Sequence, residues 1–300
     1  MEKINVLRGR KLSLGNAVLI GSGFCSDVYQ IDDETVVKVL KRDTEKDAER
    51  EILLSKWAFT KGIPTAISYD VVDVDGRPGL VYESLGKNNL RNALRDNPDD
   101  FDALMDRYVT LLHTINAARV GDEPLPEAIA DVRKDLCDVS EMLTAEENQK
   151  MSALLDTIPK ASTLVHRDCH VKNIKLVKGE LLLIDLDTLS RGDPILELSA
   201  LYCTYRVFPQ AKRQIERDAF LDIPVALSHK ILGTILERYY PGLSDEAKKR
   251  NTDRIALLAY LNILPYIKTN VEDFPYDLDV VMQSFRDLLP RVETLVLEKE

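Results

Sequence analysis

The sequence predicts an α+β protein in which a small β-rich part comes first and a larger, mainly helical part follows. Short β-prone runs separated by turn residues fill residues 1–83. From residue 84 onward, apolar residues recur at the three- and four-residue spacing of helices, with one hairpin between them. The character changes near the stretch ESLGKN. We therefore expect two domains, residues 1–83 and residues 84–300.

The β-rich part alternates strands with turns. Two β-prone runs, AVLIGSG and SDVYQID, flank a glycine turn, and the turn DDET leads to the next strand, VVKVL. Residues 45–61 have the pattern of a helix. The turn DGRPG then joins the two strands of a hairpin within AISYDVVDVDGRPGLVYESL.

The remainder of the chain is predicted to be helical around one hairpin. A helix through residues 101–115 has a buried face, and another helix follows in AIADVRKDLCDVSEML. The face consists of Phe101, Leu104, Met105, Tyr108, Leu111, Leu112 and Ile115. The hairpin is IKLVKGELLLID, and helices resume near Pro194 with breaks near DIP, YYPGLS and NVEDFPYD.

Composition and charge exclude several classes of protein. The 300 residues are 45% hydrophobic and 30% charged, which is enough apolar material for a sizeable core. The net charge of -10 argues against binding nucleic acid or an anionic membrane surface. Four scattered cysteines without a CxxC motif, and a start that lacks the apolar core of a signal peptide, predict a cytoplasmic protein.

The glycine turn GSGFCSDVYQ has two interpretations. Gly21, Ser22 and Gly23 form a GxG motif, which in a dinucleotide-binding turn is followed by a helix. Here β-prone residues follow, which favours a flap whose backbone N–H groups cover phosphates. A tight hairpin in which the glycines supply only conformational freedom is equally compatible with the motif.

Lys38 and Glu51 are expected to form an ion pair. Lys38 lies within an apolar strand, where a lysine by default faces solvent. On a helical projection, however, Glu51 lies on the apolar face of the next helix. That face consists of Ala48, Ile52, Leu54, Ala58 and Phe59. A carboxylate there needs a partner, and Lys38 is the available cation, although Glu51 could also extend to the edge of the face.

The most informative stretch is LVHRDCHVKNIKLVKGELLLIDLD, residues 164–187. It has the form HRDxxxxN, followed by a hairpin and then Asp185, and so resembles the catalytic loop and metal-binding aspartate of the protein-kinase-like fold. Transfer of a phosphate needs a carboxylate that orients the attacking hydroxyl, and Asp168 fits this role. It also needs oxygen ligands for magnesium, and Asn173 and Asp185 fit that role. The hairpin explains the spacing, since it returns Asp185 beside the loop.

These motifs resemble those of the bilobal protein-kinase-like fold, in which a small β-rich lobe precedes a larger, mainly helical one. The resemblance covers about residues 17–201 and is closest to the aminoglycoside phosphotransferase and choline kinase branch. That branch has a DxHxxN loop, matched here by Asp168, His170 and Asn173. The stretch IDLDTLSRGDPILELSAL resembles its following segment, although Glu197 replaces the usual aspartate. Arg167 stands where the family often has glycine, and HVKN replaces the usual HPGN.

The resemblance implies roles for further residues. ATP and Mg²⁺ would be the cofactors. Nucleotide binding is implied at the glycine turn, at the lysine–glutamate pair and at the segment that holds adenine. The residues concerned are Gly21, Ser22, Gly23, Val28, Lys38, Glu51, Glu83 and Leu85. Asp187 either assists the metal or bonds a backbone amide. Lys172 either steadies the terminal phosphate or is solvated.

The acceptor stays open. We expect the acceptor to be a hydroxyl group of a small molecule such as an aminoglycoside, an aminoalcohol or a sugar-like metabolite. No nucleic-acid or membrane partner is expected, and the expected oligomeric state is a monomer or a weak dimer. Most of the excess acid follows residue 83, and residues 270–279 (NVEDFPYDLD) would suit a cationic acceptor or simply be a solvated helix entry. The alternatives are a nucleotide-binding regulatory module with little catalysis, or a protein-kinase-like enzyme.

Overall fold

The structure is a computed structural model that describes residues 10–23, 25–41, 45–121, 123, 125–210, 221–269 and 278–299. These residues form two compact units. The sheet unit comprises residues 1–89 and 173–187, and the helical unit comprises residues 90–172 and 188–300. The hairpin therefore belongs with the first part of the chain. Assignment of domains to residues 1–83 and 84–300 stays a prediction.

The sheet unit is built on a five-stranded antiparallel sheet in the order β1-β2-β3-β5-β4. Its strands are β1 (Val18–Ser22), β2 (Ser26–Gln30), β3 (Thr35–Leu40), β4 (Ser68–Val74) and β5 (Arg77–Glu83). Helix α1 (Glu45–Thr60) packs on β4 and β5. The hairpin consists of β7 (Ile174–Val177) and β8 (Glu180–Leu183). The predicted strands, helix and hairpins are all present, within a residue or two of the expected bounds.

Apolar side chains hold α1 against the sheet. Ala48 and Ile52 of α1 pack with Leu40, Val71 and Leu80 in one buried cluster. Burying each large aliphatic side chain of this kind contributes about 1.5–3 kcal/mol.

Gly79 allows the strands to approach closely, because a Cβ atom there would lie 2.8 Å from Val74 Cγ2. Phe59 departs from the predicted buried face of α1, since 51% of it is exposed near the end of the helix.

The helical unit consists mainly of helices, as predicted for the chain after residue 83. They are α2 (Leu90–Asp96), α3 (Phe101–Ala117), α4 (Ala128–Asp138), α5 (Ala145–Asp156), α6 (Pro194–Tyr202), α7 (Val225–Tyr239), α8 (Asp245–Thr269) and α9 (Leu278–Leu288). Two short strands, β6 (Leu164–Val165) and β9 (Ser190–Arg191), pair with each other. Every residue of the predicted α3 face is buried. The described part of this unit is therefore α-rich, as expected.

Local sequence explains where several of these helices begin and end. Asp193 caps α6 by accepting a hydrogen bond from the Ile195 amide at 3.0 Å, and Pro194 occupies the first turn. Helix α4 ends at Asp138, earlier than predicted, and a 3-10 turn continues over Ser140–Met142. Within the ranges described, no helix is both long and apolar enough to cross a bilayer.

Candidate active site

A cleft with an empty volume of about 930 Å³, open solvent included, lies in the sheet unit. Its walls come from the glycine-turn strands, from β3 and α1, from the end of β5 and from the segment after β8. Most of the residues predicted to bind nucleotide line it, together with one predicted metal ligand. They are Gly21, Val28, Lys38, Glu51, Glu83, Leu85 and Asp185. Residues from distant parts of the sequence thus meet in one cleft.

The expected Lys38–Glu51 ion pair is present at the centre of this cleft. Lys38 Nζ lies 2.9 Å and 3.0 Å from the two carboxylate oxygens of Glu51. It also donates to Oδ1 of Asp185. The Lys38 side chain is only 12% exposed and the Glu51 side chain 5% exposed. The ammonium group is therefore fixed between two carboxylates rather than extended into solvent.

Strand register and helix face place these two side chains. Lys38 pairs with Leu80 in the middle of the sheet, and Glu51 lies on the buried face of α1. Tyr82, on β5, donates its hydroxyl to Oε1 of Glu51 at 3.0 Å. Sequence reasoning missed Tyr82, because the packing that brings this strand residue to Glu51 on a helix is not encoded in apolar spacing. Its hydroxyl satisfies a carboxylate that burial would otherwise destabilise.

The electrostatics of the cluster favour a charged lysine. Burial by itself would lower the pKa of Lys38, but the charges of Asp185, Glu51 and Asp187 outweigh burial and raise it. Burial raises the pKa of Glu51, and the nearby Lys38 only partly opposes this rise. The ammonium group therefore stays protonated throughout the range in which a protein is folded.

Three carboxylates converge around this lysine. Ligand atoms of Glu51, Asp185 and Asp187 lie within 4.8 Å of one another. Asn173 is buried, and its backbone carbonyl accepts a hydrogen bond from the Ile184 amide at 2.9 Å, next to Asp185. Three carboxylates against one ammonium leave excess negative charge, and their oxygens are the ligands that a hard cation such as Mg²⁺ prefers. The donor set therefore fits a magnesium ion.

Asp185 itself has an unusual backbone. Its φ angle is +65°, in the left-handed region that residues other than glycine seldom adopt. Such conformations persist where the surrounding structure enforces them, and they occur often at functional sites. Here the ion pair with Lys38 holds the side chain in place.

The glycine turn has the strand–turn–strand form rather than the dinucleotide-binding form, since β2 follows it directly. Gly21 lines the cleft, whereas Ser22 and Gly23 make contacts within the turn. Ser22 Oγ donates to Asp27 Oδ1 at 2.7 Å, and the Gly23 amide donates to the Ser26 carbonyl at 2.8 Å. The roles of Ser22 and Gly23 in binding phosphates stay predictions.

The segment after β5 forms another edge of the cleft. The Glu83 side chain accepts a hydrogen bond from the Ile67 amide at 2.6 Å, so it is used within the protein. Lys175, on β7, also lines the cleft and donates to the Gly86 carbonyl at 2.8 Å. Sequence reasoning did not select Lys175, because a lysine in a short hairpin strand gives no signal that it faces a cleft.

In the helical unit, the loop of residues 166–172 carries Asp168. The Asp168 amide donates to His166 Nδ1 at 3.2 Å, which requires that nitrogen to be unprotonated. His170 Nε2 lies 3.5 Å from Asp168 Oδ1. The Asp168 side chain is 39% exposed, whereas His166 is fully buried. The Asp168 carboxylate is therefore accessible, while the backbone that carries it is bonded to the buried His166.

Glu197 is the main anchor of this loop. It is completely buried and accepts hydrogen bonds from the amides of His166 and Arg167, the latter at 3.1 Å. Burial raises its pKa, and these two amides oppose the rise. The loop thus depends on a buried glutamate for two of its backbone hydrogen bonds.

Arg167 has a backbone conformation that residues other than glycine seldom adopt. The φ angle of Arg167 is +67°, a conformation that glycine adopts without steric cost. Here an arginine adopts it while its guanidinium pairs with Asp131.

Two further expectations concern residues outside these contacts. Lys172 is exposed, and its role stays a prediction. Of the acidic stretch at residues 270–279, residues 270–277 lie outside the described part of the chain.

Comparison with models of protein families identifies the family of the chain. A family model described as a phosphotransferase enzyme family matches residues 16–227. A search of curated proteins finds no match to this chain.

Solved structures give the same result for the fold. The ADP-bound aminoglycoside phosphotransferase APH(2'')-Ib is 17% identical, with 92% of each chain covered and a TM-score of 0.55. A thermostable mutant of aminoglycoside phosphotransferase APH(4)-Ia, in complex with AMP-PNP and hygromycin B, is 12% identical, with coverage of 92% and 93% and a TM-score of 0.62. A choline/ethanolamine kinase family protein from Mesorhizobium loti is 14% identical, with coverage of 93% and 88% and a TM-score of 0.56. At these identities the likeness establishes the fold and confirms the kinase-like class predicted from the sequence.

Proposed function

The chain belongs to the phosphotransferase enzyme family, and from that premise we propose that it transfers the terminal phosphate of ATP, with Mg²⁺, to a hydroxyl group of a small molecule. The observation that carries the proposal is the Lys38 ammonium held between the carboxylates of Glu51 and Asp185 in the cleft of the sheet unit. Phosphate transfer depends on positioned charge of this kind more than on covalent chemistry.

Lys38 is proposed to bind the phosphates as a point charge. Glu51, which is itself held by Tyr82, keeps the ammonium in place, and an arriving phosphate oxygen would replace Asp185 as its further partner. A buried, charge-assisted hydrogen bond of this type is worth about 1.5–3 kcal/mol. Glu51 therefore orients the lysine and does not itself touch the nucleotide.

Asp185 and Asn173 are proposed to hold the magnesium ion, with Asp187 as an additional oxygen ligand. Their oxygen atoms suit a hard cation, and Asp185 would exchange its bond to Lys38 for the metal. When bound, the metal would supply positive charge that offsets the negative charge of the phosphate groups. The protein contributes the placement of the Asp185 and Asp187 carboxylates.

The end of β5 is proposed to bind adenine through its backbone. Glu83 offers its carbonyl and Leu85 its amide, since both residues line the cleft and the Glu83 side chain is already bonded to Ile67. Gly21 and Val28 would cover the nucleotide from the first two strands, and the amides of Ser22 and Gly23 would approach its phosphates.

Asp168 is proposed to orient the acceptor hydroxyl and accept its proton. It is the carboxylate of the HRDxxxxN motif, it lies on a loop that buried groups anchor, and its side chain is 39% exposed. Proton acceptance by such a group typically accelerates a reaction by about 10²–10⁴-fold. The acceptor is proposed to be an aminoglycoside, an aminoalcohol or a sugar-like metabolite, and a cytoplasmic location is proposed because ATP is the donor.

A screen of ADP release tests this function. The purified protein is incubated with Mg²⁺ and ATP against a library of small alcohols, amino sugars and aminoglycosides. The proposal expects ADP release that depends on one class of acceptor, with a phosphorylated product in mass spectra. Nucleotide binding without release on any acceptor would favour the regulatory module. Transfer to unfolded protein substrates instead would favour a protein kinase.

A further inference from the structure

Two buried tyrosines of the helical unit contact the backbone of the loop that carries Asp168. Tyr108 on α3 donates its hydroxyl to the carbonyl of Cys169. Tyr205 accepts a hydrogen bond from the amide of Val171 at 2.9 Å. The two hydroxyl oxygens lie 3.1 Å apart, and both side chains are completely buried. The hydroxyls therefore bridge two backbone groups on either side of residue 170.

The chemistry of these groups gives the hydrogen bonds a single direction. A carbonyl cannot donate, so the one hydroxyl proton of Tyr108 is committed to Cys169. The bond between the two hydroxyls must then be donated by Tyr205, whose oxygen is left to accept from the Val171 amide. The resulting chain runs Val171, Tyr205, Tyr108, Cys169, with every donor matched to an acceptor. Chains of this kind strengthen each of their bonds.

The surroundings keep both hydroxyls neutral and in place. Burial raises the pKa of Tyr108, and burial likewise raises that of Tyr205. Tyr205 belongs to a π-helical turn, Cys203–Val207, that directly follows α6. Ser228 of α7 donates to the Tyr205 carbonyl at 2.9 Å and so anchors that turn from a second helix. Turns of this type are rare and occur frequently at functional sites.

We propose that Tyr108 and Tyr205 are positioning residues that hold the backbone of residues 169–171, and thereby the adjacent Asp168, in the geometry required for phosphate transfer. This inference rests on the proposed role of Asp168. Without the hydroxyls, the Val171 amide and the Cys169 carbonyl would be buried and lack these partners. The loop would then shift to satisfy them, and shifts of about 1 Å at a reacting group can reduce a rate by about 10²-fold.

The test compares three tyrosine-to-phenylalanine variants. Tyr108→Phe and Tyr205→Phe each remove one hydroxyl of the chain while keeping the ring. Tyr239→Phe is the matched control, because Tyr239 is also buried in the helical unit but donates its hydroxyl to Asn116 Oδ1 at 2.7 Å. For each protein, kcat and KM are measured with ATP and an acceptor, and amide hydrogen exchange is measured by NMR.

We expect kcat to fall about 10–100-fold in Tyr108→Phe and Tyr205→Phe, with KM for ATP changed less than about two-fold. Tyr239→Phe should keep kcat within about two-fold of the wild type even if it lowers stability equally. In Tyr205→Phe the Val171 amide should exchange at least about ten-fold faster, while amides in the middle of α3 keep their rates. A kcat within two-fold of the wild type in both loop variants, or unchanged exchange at Val171, would overturn the inference.

The two proposals fail in different ways. If the wild-type protein transfers phosphate to no acceptor, the proposed function fails, and exchange at Val171 alone decides whether the hydroxyls hold the loop. If the wild type is active while the two loop variants behave like Tyr239→Phe, the function stands and the positioning role is wrong.

Discussion

Replacing Lys38 by methionine should separate its structural role from its role in binding nucleotide. Methionine keeps the length and apolar stem of lysine but removes the charge. Among the described residues, the Tyr82 hydroxyl would then be the remaining side-chain donor to the buried Glu51 carboxylate. Removing one partner of a buried ion pair costs about 3–5 kcal/mol. Because Tyr82 remains, we expect a loss near the lower limit, about 3 kcal/mol.

The loss of folding stability should depend on pH, and the burial of Glu51 determines whether the loss is larger at high or at low pH. Burial already raises the pKa of Glu51, and without Lys38 the opposing influence disappears, so the pKa rises further. Where the pKa of a carboxyl group is higher in the folded protein than in the unfolded protein, the contribution of that group to folding stability is lost as pH rises through the folded-state pKa. Lys38→Met should therefore be more destabilising at pH 8 than at pH 5. Adding Glu51→Gln removes the uncompensated charge and should restore about half of the loss at pH 8.

Urea unfolding followed by tryptophan fluorescence measures this directly. Trp57 is the single tryptophan of the chain and lies on α1, so it reports unfolding of the helix that carries Glu51. Calorimetric titration with ATP gives the functional counterpart. Both Lys38→Met and the double variant should bind ATP about 10–100-fold more weakly, because the lost bond is charge-assisted. An equal urea midpoint for Lys38→Met and the wild type at pH 8 would contradict the structural role of Lys38. Recovery of ATP affinity in the double variant would contradict its role in binding nucleotide.

Two further predictions concern other carboxylates. Asp185→Ala should abolish magnesium-dependent ATP binding, because it removes the principal oxygen ligand; calorimetry with and without Mg²⁺ checks this, and near wild-type binding would contradict the metal site. Burial raises the pKa of Asp135 to about 6 from its ordinary value of 3.8, with Arg167 opposing and Asp131 adding to the rise. Since each pKa unit corresponds to about 1.4 kcal/mol, Asp135→Asn should stabilise the protein by up to about 3 kcal/mol at pH 7.5 and by little at pH 4. Thermal unfolding at the two pH values measures the difference, and equal effects at both would show that Asp135 is not strained by burial.

Local patterns predicted much of the fold because the responsible forces are local. The α1 helix, predicted over residues 45–61, extends over Glu45–Thr60, since apolar spacing and turn residues determine where it lies. The same spacing placed Glu51 on the buried side and thereby led to the pair with Lys38. The prediction that Phe59 is buried was wrong, because a side chain near the end of a helix can be exposed even where the helical projection assigns it to the buried face.

The contacts that sequence reasoning missed all join residues that are distant in the chain. Tyr108 and Tyr205 meet across 97 residues, and each looks like an ordinary core tyrosine in its own helix. Tyr82 reaches Glu51 across 31 residues, from a strand to a helix. Hydroxyl partners of this kind depend on how helices and strands pack, which periodicity does not encode. The motif residues were predictable because their spacing reflects one short loop and one hairpin.

The claim that the protein is an enzyme and not a nucleotide-binding module depends most directly on Asp168. Asp168→Asn keeps the size of the side chain but cannot accept a proton, and Asp102→Asn, an exposed change on α3, serves as the control. Turnover is measured by coupled ADP release with an accepted substrate, and ATP binding is measured by calorimetry. The account predicts that Asp168→Asn lowers turnover by about 10²–10⁴-fold while changing ATP affinity only a few-fold, and that Asp102→Asn changes neither. Equal turnover of Asp168→Asn and the wild type would contradict the proposed mechanism.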